Sequence, residues 1–202
     1  MKIGIFGGTF NPPHKGHLRL IETFADKLEL DKVLVIPDKR PVHKICEDLA
    51  LDSDRAELCR RTFMGKNYEV RDTDSYMIFT VNEILSKYKD AQLFLIIGSD
   101  MFLSFHKWYK YREIMKKCTL CVMSREDEDT VKALRSYAFS TLHIYMPSNE
   151  ANGIIISPSS PLEISSTEIR QKISAGEDVS DVLTKEAYEF IKERGMYGYA
   201  KK

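Results

Sequence analysis

Residues 91–100, AQLFLIIGSD, carry apolar side chains at consecutive positions rather than alternate ones. A strand of that kind buries both faces, which calls for a place inside a parallel sheet covered by helices. Shorter runs recur along the chain: KIGIF (2–6), KVLVIP (32–37), YEVRDT (68–73), TLCVMS (119–124), TLHIYM (141–146) and GIIISP (153–158). Helical patterns separate them. From about Leu18, the residues Leu18, Ile21, Ala25 and Leu28 share one helical face. RAELCRRTFM is expected to start at a cap from Ser53 or Asp54, and TVNEILSKYK (80–89) forms another helix. This alternation predicts an α/β, Rossmann-like fold, a parallel sheet with helices on both faces.

At 202 residues, 43% of them hydrophobic and 30% charged, the chain can bury one substantial core. We expect one domain over 1–202: a Rossmann-like core over about 1–158, then a helical C-terminal part, 159–202, ending in VLTKEAYEFIKERG. The 30 Lys+Arg balance the 30 Asp+Glu, so any anion site must be local, and no nucleic-acid partner is expected. MKIGIFGG is broken by glycine too early for a signal peptide, and no run approaches the ~20 apolar residues of a membrane span. A cytoplasmic protein with no membrane partner is expected, and whether it forms a homo-oligomer stays open. Cys118-Thr-Leu-Cys121 could be half of a zinc site or a redox pair. Within a strand, however, residues three apart point to opposite faces, and no second Cys/His cluster follows. Buried free thiols are the expected state.

Ligands of such folds sit beyond the carboxyl ends of the strands. Three segments lie there: the turn after the first strand, Pro37 to Lys44, and Gly98 to Asp100. The first, GIFGGTFNPPHKGHLRL (4–20), carries more glycine, proline and histidine than a turn needs. Gly7 and Gly8 allow close backbone approach, and N–H groups at the following helix N-terminus attract phosphate oxygens. The stretch is neither GxGxxG nor a P-loop. His14 and His17 can both donate to phosphate; alternatively one caps the helix while the other packs in the core. A second hydroxyl-rich turn lies far downstream, in ISSTEIR (164–170). There Ser165, Ser166 and Thr167 open a helix, Glu168 adds first-turn acidity, and Arg170 can fork onto phosphate. Taken alone, it reads as an ordinary capped helix.

Together these residues resemble a family. GGTFNPPHKGHL is similar to the (T/H)xGH-type motif of the nucleotidyltransferase superfamily, and its PPH form resembles the bacterial nicotinate-nucleotide adenylyltransferases. ISSTEIR resembles that family's second signature, about 150 residues downstream and in the right order. Pro41 with His43-Lys44, Asp54-Arg55, Gly98-Ser99-Asp100 and Trp108 also match, so the resemblance spans nearly the whole chain.

The resemblance implies adenylyl transfer from ATP to nicotinate mononucleotide, giving deamido-NAD and pyrophosphate. His14, His17, Lys44 and Arg170 become the implied catalytic residues. Gly7, Gly8, Thr9, Phe10, Gly98, Asp100, Arg125, Ile164, Ser165, Ser166 and Thr167 join His14, His17 and Arg170 in contacting ATP. Thr9, Lys44, Tyr76, Thr80 and Trp108 would contact the acceptor. Asp100 could instead cap a helix starting at Met101. Mg2+ would be held through the ATP phosphates rather than by a protein cage. One departure concerns the acceptor. The family commonly shows Ser-Tyr-Thr, one residue, Asp-Thr, where this chain has Ser75-Tyr76-Met77-Ile78-Phe79-Thr80. Nicotinamide mononucleotide or phosphopantetheine as acceptor, and a non-catalytic nucleotide sensor, are the rival readings. A class I aminoacyl-tRNA synthetase would need a KMSKS-type loop that this chain lacks.

Overall fold

The computed structural model describes residues 1–38, 49–71, 73, 76–124, 128–158 and 165–199. Strands β1 (Lys2–Gly8), β2 (Lys32–Pro37), β3 (Tyr68–Val70), β4 (Gln92–Gly98), β5 (Cys118–Ser124), β6 (Glu150–Ala151) and β7 (Ile154–Pro158) occupy the expected apolar runs, with β6 added. The helices are α1 (Lys15–Leu28), α2 (Asp52–Thr62), α3 (Met77–Lys87), α4 (Ser99–Leu103), α5 (Tyr111–Lys117), α6 (Glu128–Ser140), α7 (Ser166–Ser174) and α8 (Lys185–Arg194). Among the described residues the strands form a seven-stranded sheet, ordered β3-β2-β1-β4-β5-β7-β6. The pairs β1·β4, β4·β5 and β5·β7 are parallel, and the short β6 runs antiparallel to β7. The α/β, Rossmann-like expectation holds, and strand order reverses at β1.

By compactness the chain divides into two units. The first comprises Met1–Phe6, Leu20–Val33 and Ser75–Pro161; the second comprises Gly7–Arg19, Leu34–Asp74 and Leu162–Lys202. In the first unit, Ile3, Ile5, Leu95, Ile96, Ile97, Val122 and Ile156 are buried without regard to strand alternation, as the consecutive apolar runs require. Cys118 and Cys121 lie in β5 as buried free thiols, and burial pushes both up to about 12, so they stay protonated. In the second unit, Leu58 of α2, Ile169 and Ile173 of α7, and Ala187, Phe190 and Ile191 of α8 form one apolar cluster with Val179, Leu183 and Met196. Each of the larger side chains contributes roughly 1.5–3 kcal/mol when fully buried. Thr184 caps α8, and Gly195 ends it at φ 61, a left-handed position that suits glycine.

Several local expectations change. Helix α1 starts at Lys15 rather than near Leu18, and α3 at Met77 rather than Thr80. Ser53 and Asp54 do not cap α2, which begins at Asp52 after Leu51 with no side-chain cap. The two carboxylates there are engaged elsewhere: Asp52 accepts from Arg55 at 2.6 Å and Asp54 from Arg194 at 3.1 Å. The expected strand TLHIYM is irregular chain. His143 takes φ 59, Ile144 N–H donates back to the Ala138 carbonyl, and Arg135 holds the Met146 carbonyl at 2.8 Å. Its apolar residues Leu142 and Met146 are buried as loop anchors. The hairpin β6–β7 turns on Asn152 and Gly153, at φ 50 and 80, a pair suited to a two-residue turn.

Candidate active site

Both candidate motifs lie in the second unit. The β1 strand ends in Gly7 and Gly8, and the Gly8 carbonyl accepts from Asp38 N–H at 2.9 Å. A side chain on Gly8 would place its Cβ 3.0 Å from the Phe10 ring, a tight contact to which the ring would have to yield. Phe10 is 2% exposed and takes φ 48, a position that costs a non-glycine residue of order 1–3 kcal/mol. Its ring is held edge-on by Phe63 and His17, at centroid distances of 5.7 and 5.2 Å. The Asn11–Pro12 peptide that follows is cis.

The carbonyl oxygens of this turn are gripped one after another. Arg55 Nη1 donates to Thr9 O at 2.7 Å, Arg170 Nη1 to Asn11 O at 2.9 Å, and Ser166 Oγ to Pro12 O at 2.8 Å. Two segments about 150 residues apart are thereby joined directly. Arg55 is fully buried and also reaches Ala50 O and Asp52. Arg170 Nε is buried with no partner among the described residues.

The histidines follow the turn. His14 N–H donates to His17 Nδ1 at 3.2 Å, and Gly16 N–H donates to His14 Nδ1 at 3.1 Å. A backbone N–H can only donate, so both Nδ1 atoms are acceptors and each neutral ring carries its proton on Nε2. The rings lie 3.8 Å apart between centroids, tilted by 38°. Burial lowers His14 to about 4, which keeps it neutral at neutral pH. His14 thus caps α1 through Nδ1 while its Nε2 stays a donor, and the two sequence readings of it are compatible. Lys15 is occupied otherwise, its Nζ donating to Ser180 O and Asp181 O.

At the start of α7, Ser165 and Glu168 form a reciprocal capping box, with Ser165 N–H to Glu168 Oε2 at 2.7 Å and Glu168 N–H to Ser165 Oγ at 3.2 Å. The hydroxyls of Ser165 and Ser166 are therefore both engaged in holding the motif, and Thr167 is exposed on the first turn.

The first unit holds Tyr76, Thr80, Gly98, Asp100 and Trp108. Gly98 ends β4 with open space where a side chain would stand. It is also the residue before α4, so Asp100 is exposed inside the first turn and does not cap a helix at Met101. Tyr76 precedes α3, and its ring lies 4.8 Å from Tyr109 and 6.4 Å from Phe79. All three rings are about half exposed. Trp108 follows the 3-10 turn Phe105–Lys107 and packs against Phe105 at 5.2 Å. That turn is tied to α6 by Tyr137, whose hydroxyl accepts from His106 N–H at 3.1 Å. Thr80 is only 4% exposed on α3.

The model of the cytidylyltransferase-like family matches residues 5–172. The probable nicotinate-nucleotide adenylyltransferase of Neisseria meningitidis serogroup B is 32% identical over 203 residues, covering 97% of this chain and 98% of that one. The protein of the same name from Clostridium tetani is 32% identical over 206 residues, with the same coverage. The chain belongs to the nicotinate-nucleotide adenylyltransferase family. Among solved structures, Plasmodium falciparum nicotinic acid mononucleotide adenylyltransferase, complexed with NaAD, superposes with a TM-score of 0.72. It is 15% identical and covers 98% of both chains, a likeness of fold.

Within this family's frame, Lys44, Arg125 and Ile164 lie outside the described residues, as do His43 and Pro41. Gly7, Gly8, Thr9, Phe10, His14, His17, Ser165, Ser166, Thr167 and Arg170 are gathered in the second unit; Tyr76, Thr80, Gly98, Asp100 and Trp108 belong to the first. Sequence reasoning assigned no role to Arg55, Asn11, Tyr109 or Tyr197. The match of Asp54-Arg55 to the family pattern was the available signal for Arg55, without a role attached to it. Nothing local marked Tyr197. Among the described residues no three His, Cys, Asp or Glu side chains gather as a metal cage, and no helix is long and apolar enough to cross a membrane.

Proposed function

We propose that the second unit binds and activates the triphosphate while the chain transfers the adenylyl group of ATP to nicotinate mononucleotide, releasing pyrophosphate and forming deamido-NAD. The observation that carries this reading is the histidine pair. Two stacked imidazoles whose Nδ1 atoms both accept backbone N–H groups present Nε2–H as donors, as a phosphate site needs.

A phosphate oxygen of the acceptor attacks the α-phosphorus in line. A phosphate monoester has its second pKa near 6, so the nucleophile is already anionic and needs no general base. The chain's task is to hold two anions together and to meet the charge that spreads over the phosphoryl oxygens. His17 donates to the α-phosphate and His14 is the second donor. Backbone groups of Gly7, Gly8, Thr9 and Phe10 line the nucleotide. With Thr9, Asn11 and Pro12 carbonyls drawn off by Arg55, Arg170 and Ser166, the turn's oxygens are kept from opposing an anion. Thr167, the α7 N-terminus and Arg170 receive the departing pyrophosphate, joined by Lys44 and Ile164. Ser165 and Ser166 shape that helix start through their own bonds. Gly98, Asp100 and Arg125 contact the nucleoside.

For the acceptor, Trp108 stacks on the pyridine ring, with Tyr76, Thr9, Thr80 and Lys44 contributing. Phe79 stands where the family pattern that this chain resembles has Asp, so a ring would replace a negative charge beside a negatively charged substrate. Nucleotidyltransferases work with a divalent metal, and we take it to be magnesium. The donor set fits an ion that arrives on the phosphates, because among the described residues it offers N–H donors and no carboxylate cage. Bound there, the ion neutralises phosphate charge. The buried free thiols Cys118 and Cys121 suit a reducing compartment, the cytoplasm.

Pyrophosphate release should be measured with ATP and Mg2+ against nicotinate mononucleotide, nicotinamide mononucleotide and phosphopantetheine in parallel. Nicotinate mononucleotide is expected to turn over fastest. His17→Ala is expected to lower kcat by ~10²-fold with the far-UV spectrum unchanged. Preferred turnover of phosphopantetheine, or a near-normal His17→Ala rate, would reject the assignment.

A further inference from the structure

Tyr197 lies in the 3-10 turn Met196–Gly198 near the chain's end, outside both motifs. It packs against the apolar cluster of α2, α7 and α8, and its hydroxyl lies 3.0 Å from Asn11 Oδ1. The direction of that bond is fixed by its neighbour. Ala50 N–H donates to the same oxygen at 3.1 Å, which identifies the atom as oxygen, and the tyrosine must then be the donor. Burial pushes the phenol well above its ordinary range, so the donor is kept. Asn11 is 2% exposed and sits between Phe10, held at φ 48, and Pro12. Its own carbonyl is held by Arg170.

The backbone at Tyr197 is informative. Gly195 and Gly198, on either side, take positive φ, and Tyr197 takes φ 56 as well. Glycine would relieve that conformation, but it could not reach Asn11. Strained side chains persist where the surroundings over-determine them and the contact serves a site.

We propose that Tyr197 is a positioning residue for adenylyl transfer: its hydroxyl, through the Asn11 amide, holds the Thr9–His14 turn in its reactive arrangement. The inference rests on the functional reading above. It makes the last turn of the chain a third support of the site, after the two motifs.

The decisive variant is Tyr197→Phe, which keeps the ring and removes one hydrogen bond. With ATP and nicotinate mononucleotide, kcat is expected to fall about 5- to 10-fold, the size of one neutral hydrogen bond, with both KM values within about twofold. The Tm should stay within about 5 °C of the parent. In an Asn11→Ala background, Tyr197→Phe should change kcat less than about twofold, because the hydroxyl has lost its partner. Unchanged kcat, or an equal loss in both backgrounds, overturns the proposal. Nitrogen-15 imidazole spectra give a readout independent of turnover. Tyr197→Phe should shift the Nδ1 signals of His14 and His17 relative to the parent, and unshifted signals also overturn it. Should the parent fail to use nicotinate mononucleotide while those signals still move, the functional reading falls and the positional one stands.

Discussion

The two units present different materials to a ligand. In the second, every side chain that shapes the Thr9–His14 turn is buried or hydrogen-bonded: Arg55, Arg170, Ser166 and Tyr197 all donate to it, and the two imidazoles are oriented by backbone N–H groups. In the first, Tyr76, Phe79 and Tyr109 stand about half exposed and meet through ring faces and edges. An anion needs donors held at fixed distances, because misaligned dipoles contribute little. A flat ring needs accessible aromatic area, which tolerates looser placement. The candidate residues of the second unit are thus the more closely held by hydrogen bonds.

Three measurements would break or sharpen that contrast. The largest effect is expected from Arg55→Met, which leaves the Thr9 and Ala50 carbonyls and Asp52 without their donor. Removing one member of such a buried network costs about 3–5 kcal/mol, to be read from urea unfolding. A loss under about 1 kcal/mol would mean that the turn is not held by Arg55.

A pH effect of somewhat smaller size is tied to His14. Its ring titrates near 4 in the folded chain against 6.5 unexposed to burial, so the unfolded chain binds a proton first as pH falls. Stability from this group is therefore complete above about 6.5 and is lost progressively toward 4, by roughly 3 kcal/mol in all. Urea unfolding at pH 7.0 and 4.5 should show the loss in the parent and a shallower one in His14→Gln. Parallel curves would place the titration elsewhere.

The smallest effect should come from the looser region. Trp108→Ala is expected to raise the KM for nicotinate mononucleotide by about tenfold, worth ~1.4 kcal/mol, while kcat and the KM for ATP change little. A change confined to the KM for ATP would remove Trp108 from acceptor binding and dissolve the contrast.

Much of this was legible in advance. The consecutive apolar runs at 2–6, 32–37, 91–100 and 119–124 became neighbouring strands of a mostly parallel sheet, because a strand hydrophobic on both faces has few other places to go. TLHIYM was the failure. It has strand composition, but His143 in the left-handed region and Arg135 on the Met146 carbonyl leave it no ladder to join. The capped helix start at Ser165 was readable because its bonds span only three residues, though Glu168 was read as first-turn acidity and is also the reciprocal half of the cap. Arg55 and Tyr197 were not, since their partners lie 46 and 186 positions away.

The sequence by itself determined the residue types of the site and the order of strands and helices, because propensity, periodicity and motif chemistry are local. Tertiary structure decided what those residues are free to do. It set the tautomers of His14 and His17, turned the Thr9, Asn11 and Pro12 carbonyls toward donors, and committed the hydroxyls of Ser165 and Ser166 to the scaffold. Those outcomes depend on which groups meet across long stretches of chain, and hydrogen-bond geometry is fixed only when both partners are in place.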